Sequence, residues 1–227
     1  MKQGYTHISV ILDRSGSMEA IRDDTIGGFN AFLARQKAEP GTATLTLVQF
    51  DSQDPYEAIH RFQPIREVPL LTPDTYVPRG GTPLLDAFGR GINDIEKSIA
   101  DLKEEDRPEK VLFAVVTDGH ENASCEFRKD QIEKMVKEKT DKAGWQFVFL
   151  SADMAAIHDA QSVGIPDQST LFFLRTGQGT RDAWAHLSSR TEIYRSGRKE
   201  KIGFGKEDNP NHPEGPPERK RKKKRCS

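Results

Sequence analysis

Cysteine is scarce in this sequence, with Cys125 and Cys226 as the only thiols in 227 residues. So few cysteines exclude Cys-rich zinc motifs, the Cys-x-x-Cys redox motif and the disulfide-dense scaffold of a small secreted domain. A chain of this length buries enough apolar surface to fold without such cross-links. The sequence therefore predicts a globular chain with one domain, or at most two small ones.

Long apolar runs and nucleotide-binding motifs are also missing. No stretch of about 18 apolar residues occurs, so we expect no transmembrane helix. Residues 1–13 contain no small-residue cleavage site, so we expect no secretory signal. Gly177-x-Gly179 lacks the third glycine of a dinucleotide-binding turn, and no P-loop sequence occurs. The sequence therefore predicts a cytoplasmic protein without a nucleotide cofactor.

The formal net charge of −1 hides an uneven distribution. Residues 196–227 carry a charge of +6 and only Ile202 and Phe204 as large apolar side chains, whereas residues 1–195 carry −7. A basic, proline-rich segment of this kind cannot bury enough apolar surface to offset the entropy of ordering it. The sequence therefore predicts a folded domain over residues 1–195 and a disordered basic tail over residues 196–227.

Two hydrophobic periodicities alternate along the predicted domain. Apolar and β-branched runs predict six strands, at about 5–12, 42–50, 56–62, 111–116, 145–151 and 170–174. Amphipathic spacing predicts five helices, at about 18–37, 84–102, 127–141, 152–162 and 180–194. Residues 64–83, with five prolines and a Gly-Gly pair, predict a long irregular loop of the kind that is often functional. Strands that alternate with helices predict an α/β fold with a mostly parallel sheet.

Oxygen-bearing side chains follow two of the predicted strands. Asp13 ends the first strand, with Ser15 and Ser17 after it at a spacing of two residues. Asp118 ends the fourth strand, and Thr82 precedes the helix that follows the long loop. Because ligands of open α/β sheets bind at the carboxyl ends of strands, and hard divalent cations prefer oxygen donors, these five residues predict a site for Mg²⁺ or Mn²⁺.

The pattern Asp13-x-Ser15-x-Ser17, followed by Thr82 and then Asp118, resembles the metal-ion-dependent adhesion site (MIDAS) of von Willebrand factor type A (vWA) domains, in their single-domain bacterial and phage form. The resemblance implies that the three hydroxyls ligate the ion, Thr82 sometimes through water. It implies that Asp13 and Asp118 act largely through water and by orienting the hydroxyls. In such domains the ion binds a Glu or Asp of a protein partner, so the resemblance implies Mg²⁺-dependent protein binding and not catalysis.

The resemblance covers roughly residues 5–194 and also implies the fold. It implies a doubly wound, Rossmann-like sheet of six strands in the order 3-2-1-4-5-6, mostly parallel, with helices on both faces. The strand at 56–62 would then lie antiparallel at one edge. In some vWA domains the last helix, here near 180–194, shifts when the metal site closes on its ligand, and the same shift in this chain is a hypothesis.

Three other interpretations stay open. Asp13 and the two serines could only cap a helix, although capping does not explain Thr82 and Asp118. A metal-dependent phosphatase or other hydrolase would use Asp13 as nucleophile and Asp118 as metal ligand, but it usually has a second acid where Ser15 stands. A nucleic-acid-associated scaffold would bind phosphates through the basic tail.

We interpret several other residues as structural or surface residues and not as ligands of the ion. His120 and Glu121 are expected to be exposed loop residues that shape the surface facing a partner. Asp51, at the end of the second strand, is expected to be a turn residue. The Gly27-Gly28 pair, which weakens a helix by about 1 kcal/mol per residue, indicates close packing at that point.

Overall fold

The computed structural model describes residues 1–208 and shows a single six-stranded sheet with five α-helices. The strands are β1 (Lys2–Asp13), β2 (Thr42–Phe50), β3 (Glu57–Pro64), β4 (Pro108–Thr117), β5 (Gln146–Ser151) and β6 (Thr170–Phe172). The helices are α1 (Arg22–Ala38), α2 (Leu84–Ala100), α3 (Lys129–Ala143), α4 (Met154–Ser162) and α5 (Gly177–Arg195). The strand order is β3-β2-β1-β4-β5-β6, with β3 antiparallel to β2 and the other neighbours parallel. The predicted α/β fold and strand order are confirmed.

β1 lies in the interior of the sheet and is covered on both faces. Ile8 and Val10 belong to the core cluster beneath α1 and α5, whereas Ile11 belongs to the cluster beneath α2, α3 and α4. Burial on both faces explains why these parallel strands are almost continuous apolar runs. Leu12 pairs with Val116 on β4, so the carboxyl ends of β1 and β4 lie side by side.

The first helix begins later than its periodicity predicts. Residues Gly16–Ile21 form a 3₁₀ turn, and the α-helix starts at Arg22. Such tighter turns are common at helix N-termini. The predicted loop at 64–83 is irregular apart from the 3₁₀ turn Ile65–Glu67.

Helices α1 and α5 come into close contact at one glycine. A Cβ atom at Gly28 would lie 2.2 Å from Cδ1 and 2.6 Å from Cγ of Trp184, a side chain that is only 2% exposed. A Cβ at the neighbouring Gly27 would meet no atom within 4 Å. The close packing expected at the glycine pair is therefore present at Gly28 alone.

Residues 196–208 differ from the disordered tail that their composition predicts. Ile202 and Phe204 are buried in the core cluster beneath α1 and α5, and the Phe204 N–H donates to the Gln168 carbonyl at 2.7 Å. Asp208 is buried and pairs with Arg190 of α5, whose Nε lies 3.0 Å from its Oδ2. The expectation fails here because two apolar side chains and the ion pairs of Arg190 with Glu207 and Asp208 hold the segment, although its average composition is polar. The rest of the predicted tail, including its cluster of basic residues, lies outside the described residues.

Within residues 1–208, no helix has both the length and the apolar character needed to cross a bilayer.

Candidate metal centre

Asp13 is buried at the carboxyl end of β1. Its Oδ1 accepts a hydrogen bond from the Ser15 backbone N–H at 2.6 Å, and its Oδ2 accepts one from the Thr117 hydroxyl at 2.5 Å. The Tyr76 hydroxyl donates to the Asp13 carbonyl oxygen at 2.6 Å. Asp13 therefore joins the end of β1 to the end of β4 and fixes the turn that carries Ser15.

Two serine hydroxyls connect this turn to Asp118. The Oγ atoms of Ser15 and Ser17 lie 3.2 Å apart, and the Ser17 hydroxyl donates to Asp118 Oδ1 at 2.5 Å. The side chain of Asp118 is fully buried. Its Oδ2 lies 3.2 Å from Nε of Arg175 but makes no hydrogen bond within the described part of the chain.

Thr82 approaches the same place from the loop before α2. A Cβ atom built on Gly119 would lie 3.7 Å from both Ser17 Oγ and Thr82 Oγ1, so these two hydroxyls border one small space. The Thr82 backbone N–H donates to Asn122 Oδ1 at 2.8 Å, whereas its hydroxyl hydrogen-bonds to no residue in 1–208. The structure thus brings all five predicted ligand residues together from three loops. Their binding of a metal stays a prediction.

A buried charge network holds the first two of these loops. Arg14 lies between the first two motif residues and is 6% exposed. Its Nε N–H donates to Asp51 Oδ2 at 2.8 Å, and an Nη1 N–H donates to Glu57 at 2.5 Å. Arg79 also reaches Asp51, at 3.0 Å, and its backbone N–H donates to the Arg14 carbonyl oxygen.

Asp51 therefore has a larger role than that of the turn residue that the sequence predicts. It accepts the turn N–H bonds of Gln53 and Asp54, as expected, and it also binds both arginines. The sequence contains no local signal for this role, since Arg14 and Asp51 are 37 residues apart.

The loop after β4 is anchored by carboxylates to the start of α2. Glu121 is only half exposed, and its Oε2 accepts from the Leu85 backbone N–H at 2.9 Å, which caps the helix. Asp86 is buried and accepts from the backbone N–H groups of residues 125–127 at 2.8 to 2.9 Å. The expectation that Glu121 is an exposed surface residue is therefore wrong, because the bare N-terminus of α2 recruits it. His120 is exposed as expected and lies 2.9 Å from Asp153.

The donor set fits a hard divalent cation. No group of three or more His, Cys, Asp and Glu side chains in residues 1–208 is placed to hold a metal, so this centre would rely on two carboxylates and three hydroxyls. Asp118 is buried and its Oδ2 makes no hydrogen bond within residues 1–208, so a cation on the side of the hydroxyls would further offset the cost of burying this charge. Oxygen donors of this kind match Mg²⁺ and Mn²⁺.

Burial shifts the titration of both carboxyl groups. It raises the pKa of Asp13 to about 7, although hydrogen bonds from Thr117 and Ser15 act in the opposite direction. Burial also raises the pKa of Asp118, while the Ser17 hydroxyl and the charge of Arg175 oppose that change. A positive ion in contact with this pair would lower both pKa values.

The raised pKa of Asp13 predicts a pH-dependent metal affinity. Affinity for Mg²⁺ is expected to rise with pH up to about 7 and to level off above, because an ion close to Asp13 favours its ionised form, so that binding releases a proton below that pH. Titration calorimetry between about pH 5.5 and 8 would measure this rise. Thr117→Val, which removes a donor to Asp13, should move the midpoint to higher pH. An affinity independent of pH below 7 would contradict the prediction.

Metal affinity is a better observable here than the stability of the metal-free protein. Because the folded pKa of Asp13 is raised above its ordinary value of 3.8, stability from this group is lost as pH rises towards about 7. Burial lowers the pKa of His7 from 6.5 to about 3, so stability from that group is gained as pH rises over the same range. The two contributions oppose each other between about pH 4 and 6.5.

Solved structures share the fold, whereas no known protein-family model and no curated protein sequence matches the chain. A von Willebrand factor type A structure from Catenulispora acidiphila matches with a TM-score of 0.53 and 10% identity, over 83% of this chain and 43% of that one. Proximal thread matrix protein 1 from the mussel byssus, with a zinc-occupied MIDAS motif, matches with a TM-score of 0.56 and 12% identity, over 83% and 46%. The manganese-loaded TRAP protein of Plasmodium vivax matches with a TM-score of 0.56 and 14% identity, over 85% and 73%.

These matches cover less than half the length of the first two structures, and their low identities make them comparisons of fold. The strand order, the helices on both faces and the overlap with these structures agree on one architecture. The chain has the fold of a von Willebrand factor type A domain.

Proposed function

We propose that this chain is a protein-binding module that depends on a divalent cation, Mg²⁺ or Mn²⁺. Ser15, Ser17 and Thr82 would hold the ion through their hydroxyls, and Asp13 and Asp118 would act mainly by orienting those hydroxyls and through water. When bound, the ion supplies a positive charge that accepts a Glu or Asp side chain of a partner protein.

The observation that carries this proposal is that both carboxylates already accept hydrogen bonds from neighbouring residues of the chain. Asp13 accepts hydrogen bonds from Ser15 and Thr117, and Asp118 Oδ1 accepts one from Ser17. The Thr82 hydroxyl has no hydrogen-bond partner in residues 1–208. Neutral hydroxyls would therefore supply much of the coordination, and an ion with few anionic ligands keeps affinity for an external carboxylate. A zinc-occupied MIDAS motif in one structure of similar fold, and the manganese in another, support a divalent ion.

The geometry favours binding over hydrolysis. A nucleophilic Asp13 would need an oxygen directed at a substrate, whereas both of its oxygens accept hydrogen bonds from Ser15 and Thr117. Nucleic-acid binding through the tail depends on residues outside the described part of the chain and has no support here. A cytoplasmic location stays a prediction from composition.

Capture of partners from a native lysate tests the proposal. We expect the immobilised chain to retain a protein in Mg²⁺, to release it in EDTA, and to lose it in the variant Ser15→Ala/Thr82→Ala. Ser9→Ala is the matched control, because Ser9 is a buried serine of β1 whose hydroxyl has no partner within residues 1–208.

Two outcomes would contradict the proposal. Capture that ignores EDTA and the double variant would show that the metal centre is dispensable for the contact. Capture that is instead lost when residues 209–227 are removed, or when salt is raised, would assign the contact to the basic tail.

A further inference from the structure

Arg175 places a fixed positive charge beside the candidate metal centre. It lies between β6 and α5, and its Nε is 3.2 Å from Asp118 Oδ2. An Nη2 N–H of the same guanidinium donates to the Asp118 carbonyl oxygen. The vWA motif does not include this residue, and its position in the sequence, 57 residues after Asp118, gave no reason to single it out.

The two oxygens of Asp118 face different groups. Oδ1 accepts from the Ser17 hydroxyl, on the side of the candidate ligands, and Oδ2 faces Arg175. The carboxylate is fully buried, whereas the Arg175 side chain is 44% exposed. Asp118 therefore has a cation of the chain itself on one side and the predicted place of a divalent ion on the other.

Other basic side chains near the motif are directed elsewhere. The guanidinium of Arg14 is taken up by Asp51 and Glu57, and that of Arg79 also binds Asp51. Arg175 is thus the basic residue of the described chain that forms an ion pair with one of the five predicted ligand residues.

We propose that Arg175 is a built-in counter-cation of Asp118 that competes electrostatically with the divalent ion and so sets the metal affinity of the centre. The inference rests on the proposed metal site. A positive charge that partly neutralises Asp118 stabilises the metal-free protein, and the same charge repels an arriving cation. Metal affinity is therefore held below the value that the oxygen ligands alone would give.

Arg175→Gln tests this directly. The substitution should raise the affinity for Mn²⁺ and Mg²⁺ by about tenfold, measured by titration calorimetry at about pH 8. Thermal melts in EDTA should show a lower Tm for the variant than for the wild type, because buried Asp118 has lost its cation. The rise in Tm on adding Mn²⁺ should then be larger in the variant than in the wild type.

Two further variants separate charge from other effects. Arg175→Lys keeps the charge without the fork of N–H donors, so its metal affinity should stay within about twofold of wild type. Arg181→Gln removes the same charge from an exposed arginine of α5 that pairs with Asp24, and it should leave metal affinity unchanged. If Arg175→Gln does not fold in EDTA, the metal affinity of Arg175→Lys still tests the proposal. This variant keeps the positive charge, so a lower affinity than that of the wild type would contradict the proposal.

The possible failures are distinguishable. Equal or weaker metal binding by Arg175→Gln, or weaker binding by Arg175→Lys, would overturn the competition and make Arg175 a residue that orients Asp118 for the ion. The proposed metal-dependent function would survive that result. A wild-type chain that binds no divalent ion would overturn both proposals.

Discussion

Ser15→Ala combined with Thr82→Ala is expected to lower the affinity of the chain for Mg²⁺ and Mn²⁺ by about 100-fold or more. Each substitution removes a hydroxyl that would contact the ion, and hard cations of this size depend on a nearly complete set of oxygen ligands. Loss of even an outer-shell partner costs about 10- to 100-fold in metal affinity. Titration calorimetry with both ions, together with the rise in Tm that each ion produces, would measure the loss.

The choice of these two hydroxyls keeps the experiment interpretable. Ser17 donates to Oδ1 of the buried Asp118, so removing Ser17 would leave that oxygen without its hydrogen bond and destabilise the fold itself. Ser15 Oγ lies 3.2 Å from Ser17 Oγ, and the Ser15 side chain also hydrogen-bonds to Asp13. Asp13 would keep its hydrogen bonds from the Ser15 backbone N–H and the Thr117 hydroxyl if the Ser15 hydroxyl were removed. The Thr82 hydroxyl has no partner in residues 1–208. Ser9→Ala should bind metal like the wild type. A double variant that melts like the wild type and still binds both ions with unchanged affinity would show that these hydroxyls are not ligands.

Gly28→Ala is expected to destabilise the fold by about 2 kcal/mol or more. The added methyl group would stand 2.2 Å from Trp184, whose buried ring also packs edge-on against Phe29, so α1 and α5 would have to move apart. Chemical denaturation would give the change in unfolding free energy, and the Tm should fall by roughly 5 °C or more.

The neighbouring Gly27 provides the control for this substitution. Gly27→Ala adds the same methyl group to the same helix, where no atom lies within 4 Å of it. Alanine is the better helix former, so this variant should be more stable than the wild type by about 0.5 to 1 kcal/mol. Equal effects of the two substitutions would refute the packing argument.

The fold and the position of the candidate site follow from periodicity and from where polar residues interrupt it. Asp13 and Asp118 end apolar runs that are buried on both faces, and parallel strands bring such ends to one edge. The same reasoning could not find the groups that hold the loops. Arg14 reaches Asp51 across 37 residues and Glu121 caps a helix 36 residues away, and pairs of this kind leave no periodic pattern in the sequence.

The prediction of disorder for residues 196–208 was wrong for a different reason. An average over residues 196–227 is dominated by charge and proline, although Ile202 and Phe204 of its first part are buried in the core. Disorder arguments compare the apolar surface of a whole segment with its ordering entropy. Such arguments miss two apolar side chains that pack into the core of the neighbouring domain.

The two edge strands of the sheet determine how easily another strand could pair with it. β6 has three residues, and Phe204 hydrogen-bonds to Gln168 just before that strand begins. At the opposite edge, the pairing of β3 with β2 shifts register twice, and Phe62 adopts a φ of +44°. Short or interrupted edges offer few consecutive N–H and C=O groups to a foreign strand. We therefore expect little addition of foreign strands at either edge.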